Sequence, residues 1–171
     1  MTVILSLVGA RCSGKTTCGR ALAERLGWSF VDLDDELGAP AGELLSGRGE
    51  AVFRRVEARA LRRVVEAAAG SERSTVLATG GGAVLDAGSR RILRGRTRCV
   101  WLRCEPRVLA ARMGTTDVSR PSLTGAPPAE EFSTVLELRA PLYAAAAEHV
   151  VDVDRLGPGE VVGSLADWLA S

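Results

Sequence analysis

The stretch Gly9-Ala10-Arg11-Cys12-Ser13-Gly14-Lys15-Thr16 fits the pattern G-x-x-x-x-G-K-[ST] at every fixed position. Each fixed position has a chemical reason. Gly9 and Gly14 permit backbone angles closed to other residues. The N–H groups of the loop then converge as an anion nest, with the positive end of the following helix behind them. Lys15 is placed to reach the β- and γ-phosphates of a nucleotide, and Thr16 to offer its hydroxyl to Mg²⁺. Such a run binds nucleotide phosphate. By itself it does not choose the reaction.

A second set of groups lies further along. Asp32-Leu33-Asp34-Asp35 closes a short apolar run. Carboxylates at the C-terminal end of a parallel strand stand where ligands bind in open α/β sheets. Asp32 and Asp34 share one side of an extended chain. One suits a magnesium-bound water, and the other suits a proton taken from an attacking hydroxyl. Asp35 and Glu36 read as helix-capping or solvated groups. Thr79-Gly80-Gly81-Gly82 follows another apolar run. Successive glycines let a ligand approach the backbone, although a tight turn would use them equally well.

These groups need a scaffold. Five short apolar runs read as buried strands: Val3–Val8, Ser29–Asp32, Thr75–Ala78, Cys99–Leu102 and His149–Val153. Helical patterns lie between and after them, at Thr17 to Leu26, at Phe53, Val56, Ala60, Leu61, Val64 and Val65, after Pro106, and at Val161 to Leu169. Strands alternating with helices imply a parallel sheet covered on both faces. Two stretches read as loops, Gly38 to Gly49 and Gly114 to Pro128, and the second is long enough for a lid.

Composition narrows the remaining choices. A chain of 171 residues with 46% hydrophobic and 25% charged residues suits one compact domain. The net charge of +1 gives no reason to expect nucleic acid as a partner. Lys15 is the single lysine among 22 basic residues, and it stands where a compact ammonium is wanted. Cys12, Cys18, Cys99 and Cys104, with one histidine, His149, lack the spacing of a zinc site and read as buried thiols of a reducing compartment. The apolar run at the N-terminus is too short for a membrane span. A cytoplasmic, monomeric protein is expected.

On these residues the chain resembles the shikimate kinase family over nearly its whole length. The resemblance rests on the loop Gly9 to Thr17, on Asp32-x-Asp34 after Phe30, on Gly49-Glu50, and on Phe53-Arg54-Arg55-Val56-Glu57. It continues through Thr79-Gly80-Gly81-Gly82-Ala83-Val84, Arg120-Pro121 and Arg139-Ala140-Pro141-Leu142-Tyr143. Val151-Asp152-Val153-Asp154 and Gly157-Pro158-Gly159 complete it. The order and spacing of these segments together are the specific feature.

The resemblance implies a P-loop fold like that of nucleoside monophosphate kinases, with a five-stranded parallel sheet in the order 2-3-1-4-5. It implies one kinase domain over 1–171, an acceptor segment at about 33–60 and a lid at about 113–128. The reaction implied is transfer of a phosphoryl group from ATP, with Mg²⁺, to a hydroxyl of shikimate. Gly9 through Thr17 would cradle the phosphates, with Thr16 and Asp32 on the metal. Asp34 would bind the acceptor hydroxyls and serve as base. Arg54 and Arg139, with Gly81 in the Gly80–Gly82 run, would hold the acceptor carboxylate, a match for paired guanidinium hydrogen bonds. Arg120 would enter with the lid and offset charge on the transferring group. Arg112 would stack on adenine, with Pro158 on the other side.

The chain departs from the family pattern in three places. The segment from Asp34 to Phe53 is short, with Leu37-Gly38 where an Ile-Glu pair is usual. Ser122 stands where a leucine is common, and Leu156 where a polar residue is frequent near adenine. Pocket contacts decide specificity. A related kinase of another hydroxy acid, of an amino analogue or of a polyol therefore stays open as an alternative. A non-catalytic nucleotide-binding module is the further alternative. Its mark would be a broken Lys15, Thr16 or Asp34, and all three are intact.

Overall fold

The computed structural model of the chain describes residues 2–116 and 127–171. Five strands, β1 (Ile4–Val8), β2 (Ser29–Asp32), β3 (Thr75–Ala78), β4 (Arg98–Arg103) and β5 (His149–Asp152), pair in the order β2-β3-β1-β4-β5. All four pairings are parallel. This is the topology expected. The central strand β1 is buried along its whole length, and its alternate residues face opposite ways. Leu5 and Leu7 join the core beneath α1 (Lys15–Leu26), α5 (Pro106–Thr116) and α7 (Pro158–Ala170). Ile4 and Val8 join the core beneath α3 (Glu50–Ala69), α4 (Ala87–Arg96) and α6 (Pro128–Ala146). Each fully buried leucine in these layers is worth roughly 2 kcal/mol of transfer free energy.

The sequence expectation fails in one segment. Gly38 to Gly49 is not all loop: it contains helix α2 (Ala41–Arg48). Pro40, with φ −53°, starts the helix. Ala41 and Leu44 are buried in the core beneath α3. Burial of these side chains outweighs the weak helical preference of Gly42 and Gly47. Gly49 ends α2 and opens α3 with φ 77°, an angle that favours glycine.

The second expected loop is narrower than Gly114 to Pro128, because α5 runs to Thr116 and α6 begins at Pro128. Residues 117–126, among them Arg120 and Pro121, lie outside the described residues. The lid and the role of Arg120 fall there. Among the described residues, no helix is long and apolar enough to cross a membrane.

Candidate active site

The cleft opens at the C-terminal ends of the strands, and its nucleotide half is built by the turn between β1 and α1. Gly9 has φ 144° and Gly14 φ 94°. A Cβ on Gly9 would stand 2.6 Å from the Leu102 carbonyl oxygen, so the loop lies tight against β4. Cys12 also adopts a left-handed angle, φ 63°, which is unusual away from glycine. Lys15 is buried, and its Nζ donates to the carbonyls of Gly9 at 2.9 Å and Ala10 at 2.6 Å. The ammonium thus spans the loop that it serves. Ser13 Oγ is buried without a hydrogen-bond partner among the described residues.

A cavity of about 600 Å³ fronts this loop. Arg11 to Cys18 line it, together with Asp32, Asp34, Thr79, Gly80 and Gly81, and with Arg112, Leu156 and Pro158. Arg112 Nη2 donates to the Val153 carbonyl at 2.6 Å, which fixes its guanidinium beside Leu156 and Pro158. Ala10 is buried beneath the loop, so its contribution there is backbone. The guanidinium of Arg11 is engaged by α6. It pairs with Glu131 of α6 at 2.5 Å and stands 5.2 Å from the centre of the Phe132 ring. Thr17 is exposed at the rim.

The two aspartates do not lie on one extended chain. Strand β2 ends at Asp32, and Leu33–Glu36 forms a 3₁₀ turn. Asp32 caps that turn by accepting the Asp34 N–H at 3.1 Å, which bends Asp34 into the cleft by a different route from the one expected. The other oxygen of Asp32 accepts from Thr16 Oγ1 at 2.6 Å. Thr16 and Asp32 therefore offer two oxygens at the mouth of the phosphate loop. That donor set fits Mg²⁺, which takes one or two protein groups and completes its shell with phosphate and water.

The acceptor half adjoins this cavity through Arg11, Asp34, Gly80 and Gly81, which line both spaces. It is a narrow space of about 60 Å³ that also brings together Phe53, Arg54, Glu57, Gly82, Phe132 and Arg139. Arg54 is half-buried and donates to Glu57 Oε2 at 2.7 Å, whereas Arg55, Arg59, Arg62 and Arg63 are exposed. Burial and the bond to Glu57 thus distinguish Arg54 from its neighbour in the folded chain. A Cβ on Gly82 would fall 2.0 Å from Arg54 Nη1, so only glycine lets that guanidinium lie across the backbone. Arg139 Nη1 donates to the Gly81 carbonyl at 3.3 Å.

Glu57 lies in the acceptor space, although sequence pattern assigns it no role there. It is 2% exposed, and its Oε1 has no hydrogen-bond partner among the described residues. Burial raises its carboxyl above the ordinary 4.5; Arg54 opposes the rise, and the nearby Asp34 adds to it. A signal was present. Phe53, Glu57, Leu61 and Val64 share one stripe of α3, so a carboxylate interrupts an otherwise apolar face. Tyr143 likewise has no role assigned by sequence pattern, and its hydroxyl donates to the Gly81 carbonyl at 2.5 Å. Burial also raises the Cys18 thiol above its ordinary value. Burial pushes Cys99 up to about 11 and Cys104 up to about 12, which suppresses the thiolate.

Known proteins resemble this chain over nearly its whole length. A family model described as shikimate kinase matches residues 11–170. Shikimate kinase 2 of Yersinia enterocolitica is 41% identical over 99% of this chain and 97% of its own. A shikimate kinase of Nitratidesulfovibrio vulgaris is 47% identical over 86% of this chain and 85% of its own. Among solved structures, shikimate kinase from Acinetobacter baumannii in complex with shikimate superposes with a TM-score of 0.90 at 30% identity, covering 99% of this chain and 94% of that one. A deoxyadenosine kinase at 14% identity and TM-score 0.66 shares the fold alone. With a phosphate loop, an arginine-lined neighbour space and near-complete coverage by these relatives, the chain belongs to the shikimate kinase family.

Proposed function

We propose that this chain transfers the γ-phosphoryl group of ATP to a hydroxyl of shikimate, giving shikimate 3-phosphate and ADP. It is a phosphotransferase with an alcohol acceptor. One observation carries the reading: Asp34, Arg54 and Arg139 line a space that opens directly onto the phosphate loop. An acceptor carboxylate held by two guanidiniums there leaves its ring hydroxyls toward Asp34 and the nucleotide.

The residues take distinct parts. The backbone of Gly9 to Thr17 binds the phosphates, and Lys15 exchanges its loop carbonyls for phosphate oxygens. Asp34 orients the attacking hydroxyl and accepts its proton. Arg112 and Pro158 flank the base. Thr16 and Asp32 would hold Mg²⁺, which would neutralise charge on the phosphate oxygens. Arg120 belongs to the lid of this scheme, and closure of about 113–128 excludes water from the transfer. The whole chain, 1–171, acts as one kinase domain with its acceptor segment at about 33–60. We place it in the cytoplasm as a monomer.

The test is a coupled ADP-release assay with shikimate, an amino analogue, gluconate and simple polyols as acceptors. Shikimate is expected to give the highest kcat/KM. Turnover with another acceptor and none with shikimate would overturn the assignment. ATP binding without transfer to any acceptor would favour a regulatory module instead.

A further inference from the structure

Tyr143 is the single tyrosine of the chain, and it is fully buried. Its ring lies 5.6 Å from that of Trp101, tilted by 32°. Its hydroxyl donates to the Gly81 carbonyl at 2.5 Å, and Arg139 Nη1 donates to the same oxygen at 3.3 Å. Both donors come from α6, one turn apart. On its other side Gly81 presses against the phosphate loop, where an added Cβ would stand 3.2 Å from the Arg11 nitrogen and 3.5 Å from the Gly9 carbonyl oxygen. The Gly81–Gly82 peptide is therefore clamped between the nucleotide loop and α6. A planar peptide held at its carbonyl is held as a whole.

We propose that Tyr143 is a positioning residue for the acceptor site, holding the Gly81 carbonyl so that Arg139 stays directed at the acceptor carboxylate. The inference rests on the functional reading given above. A carbonyl oxygen has two lone pairs, and here each meets one donor. The shorter bond belongs to Tyr143. Without the hydroxyl, the carbonyl still demands a donor, because an unpaired buried acceptor is costly. Among the described hydrogen bonds, Arg139 supplies the other donor to this oxygen. It is drawn inward, and the acceptor loses part of its clamp. The helix shape assists the arrangement. Pro141 lies between the two donors and removes one backbone N–H from α6, which loosens the helix where both side chains must reach one atom.

The experiment is steady-state kinetics of Tyr143→Phe beside the wild type. Shikimate turnover by the wild type, measured first, tests the functional reading separately. The variant is expected to raise KM for shikimate about tenfold, with kcat and KM for ATP within about twofold. Trp101→Phe, which alters only the packing of the ring, is expected to lower Tm and leave KM for shikimate unchanged. A folded Tyr143→Phe with wild-type KM for shikimate overturns the proposal. So does an equal rise in KM with Trp101→Phe. Should Tyr143→Phe fail to fold, 3-fluorotyrosine incorporated into the wild type marks this one position. Its fluorine resonance is expected to shift on saturation with shikimate alone, and an unmoved resonance also overturns the proposal.

Discussion

The two halves of the cleft are assembled in opposite ways. The phosphate cradle of the nucleotide half comes from one run of chain, Gly9 to Thr17, with its ammonium already bonded to its own loop. The acceptor half gathers Asp34 from a 3₁₀ turn, Arg54 and Glu57 from α3, the glycines after β3, and Arg139 and Tyr143 from α6. In the first half, chemistry sits in consecutive residues, and a single side chain carries much of it. In the second, chemistry sits in mutual placement, so a glycine matters as much as an arginine. Substitutions can sharpen that contrast or break it.

The largest effect is expected on the local side. Lys15→Ala lowers kcat by at least about 10³-fold, because a donor aimed at the transferring group is lost. Circular dichroism should show the fold retained. Substantial residual turnover would mean that the ammonium only props the loop. The next effect is expected on the distributed side. Gly82→Ala places a methyl 2.0 Å from Arg54 Nη1 and forces the guanidinium out of its seat. KM for shikimate rises about tenfold or more while KM for ATP holds, as steady-state kinetics will show. Matched changes in both constants would erase the distinction between the halves.

A smaller effect concerns pH. Burial raises the Glu57 carboxyl above 4.5 in the folded chain. A raised folded pKa gives stability that is full below the unfolded value and lost as pH climbs through the folded one. Glu57→Gln removes that loss. As pH climbs above the ordinary carboxyl range, the Tm of the variant therefore gains on the wild type, and the gain levels off once Glu57 is ionised in the folded chain. A constant difference between the two melting curves would contradict the burial argument. The smallest effect returns to the phosphate loop. Cys12→Gly relieves the left-handed angle of 63° and adds about 1 kcal/mol in urea denaturation, part of which the freer unfolded chain offsets.

The same contrast governs what could be read in advance. The strand positions and the phosphate loop were legible because both rest on local pattern, short apolar runs and glycines at fixed offsets, whereas the strand order came with the family resemblance. Helix α2 was not, since Gly42 and Gly47 mask a helix that depends on burying Ala41 and Leu44 beneath α3. The placement of Asp34 was half legible. Its position after a strand was clear, but the turn capped by Asp32 was not, because one side-chain hydrogen bond decides it. Arg54 and Arg139 came from family pattern, since nothing local separates them from the other arginines. Glu57 and Tyr143 were present in those patterns, yet their value lies in contacts with Arg54 and Gly81 that only the folded chain creates.

Lys15 has a practical consequence beyond the reaction. It carries the one ε-amine in the chain, and in the folded protein that amine is buried against two carbonyls. A protease specific for lysine has a single bond to cut, in the first turn of α1, and reaches it only when the loop opens. An amine-directed reagent faces the same barrier. Digestion and labelling at this one residue thus form a built-in gauge of occupancy, slowed together whenever phosphate fills the cradle.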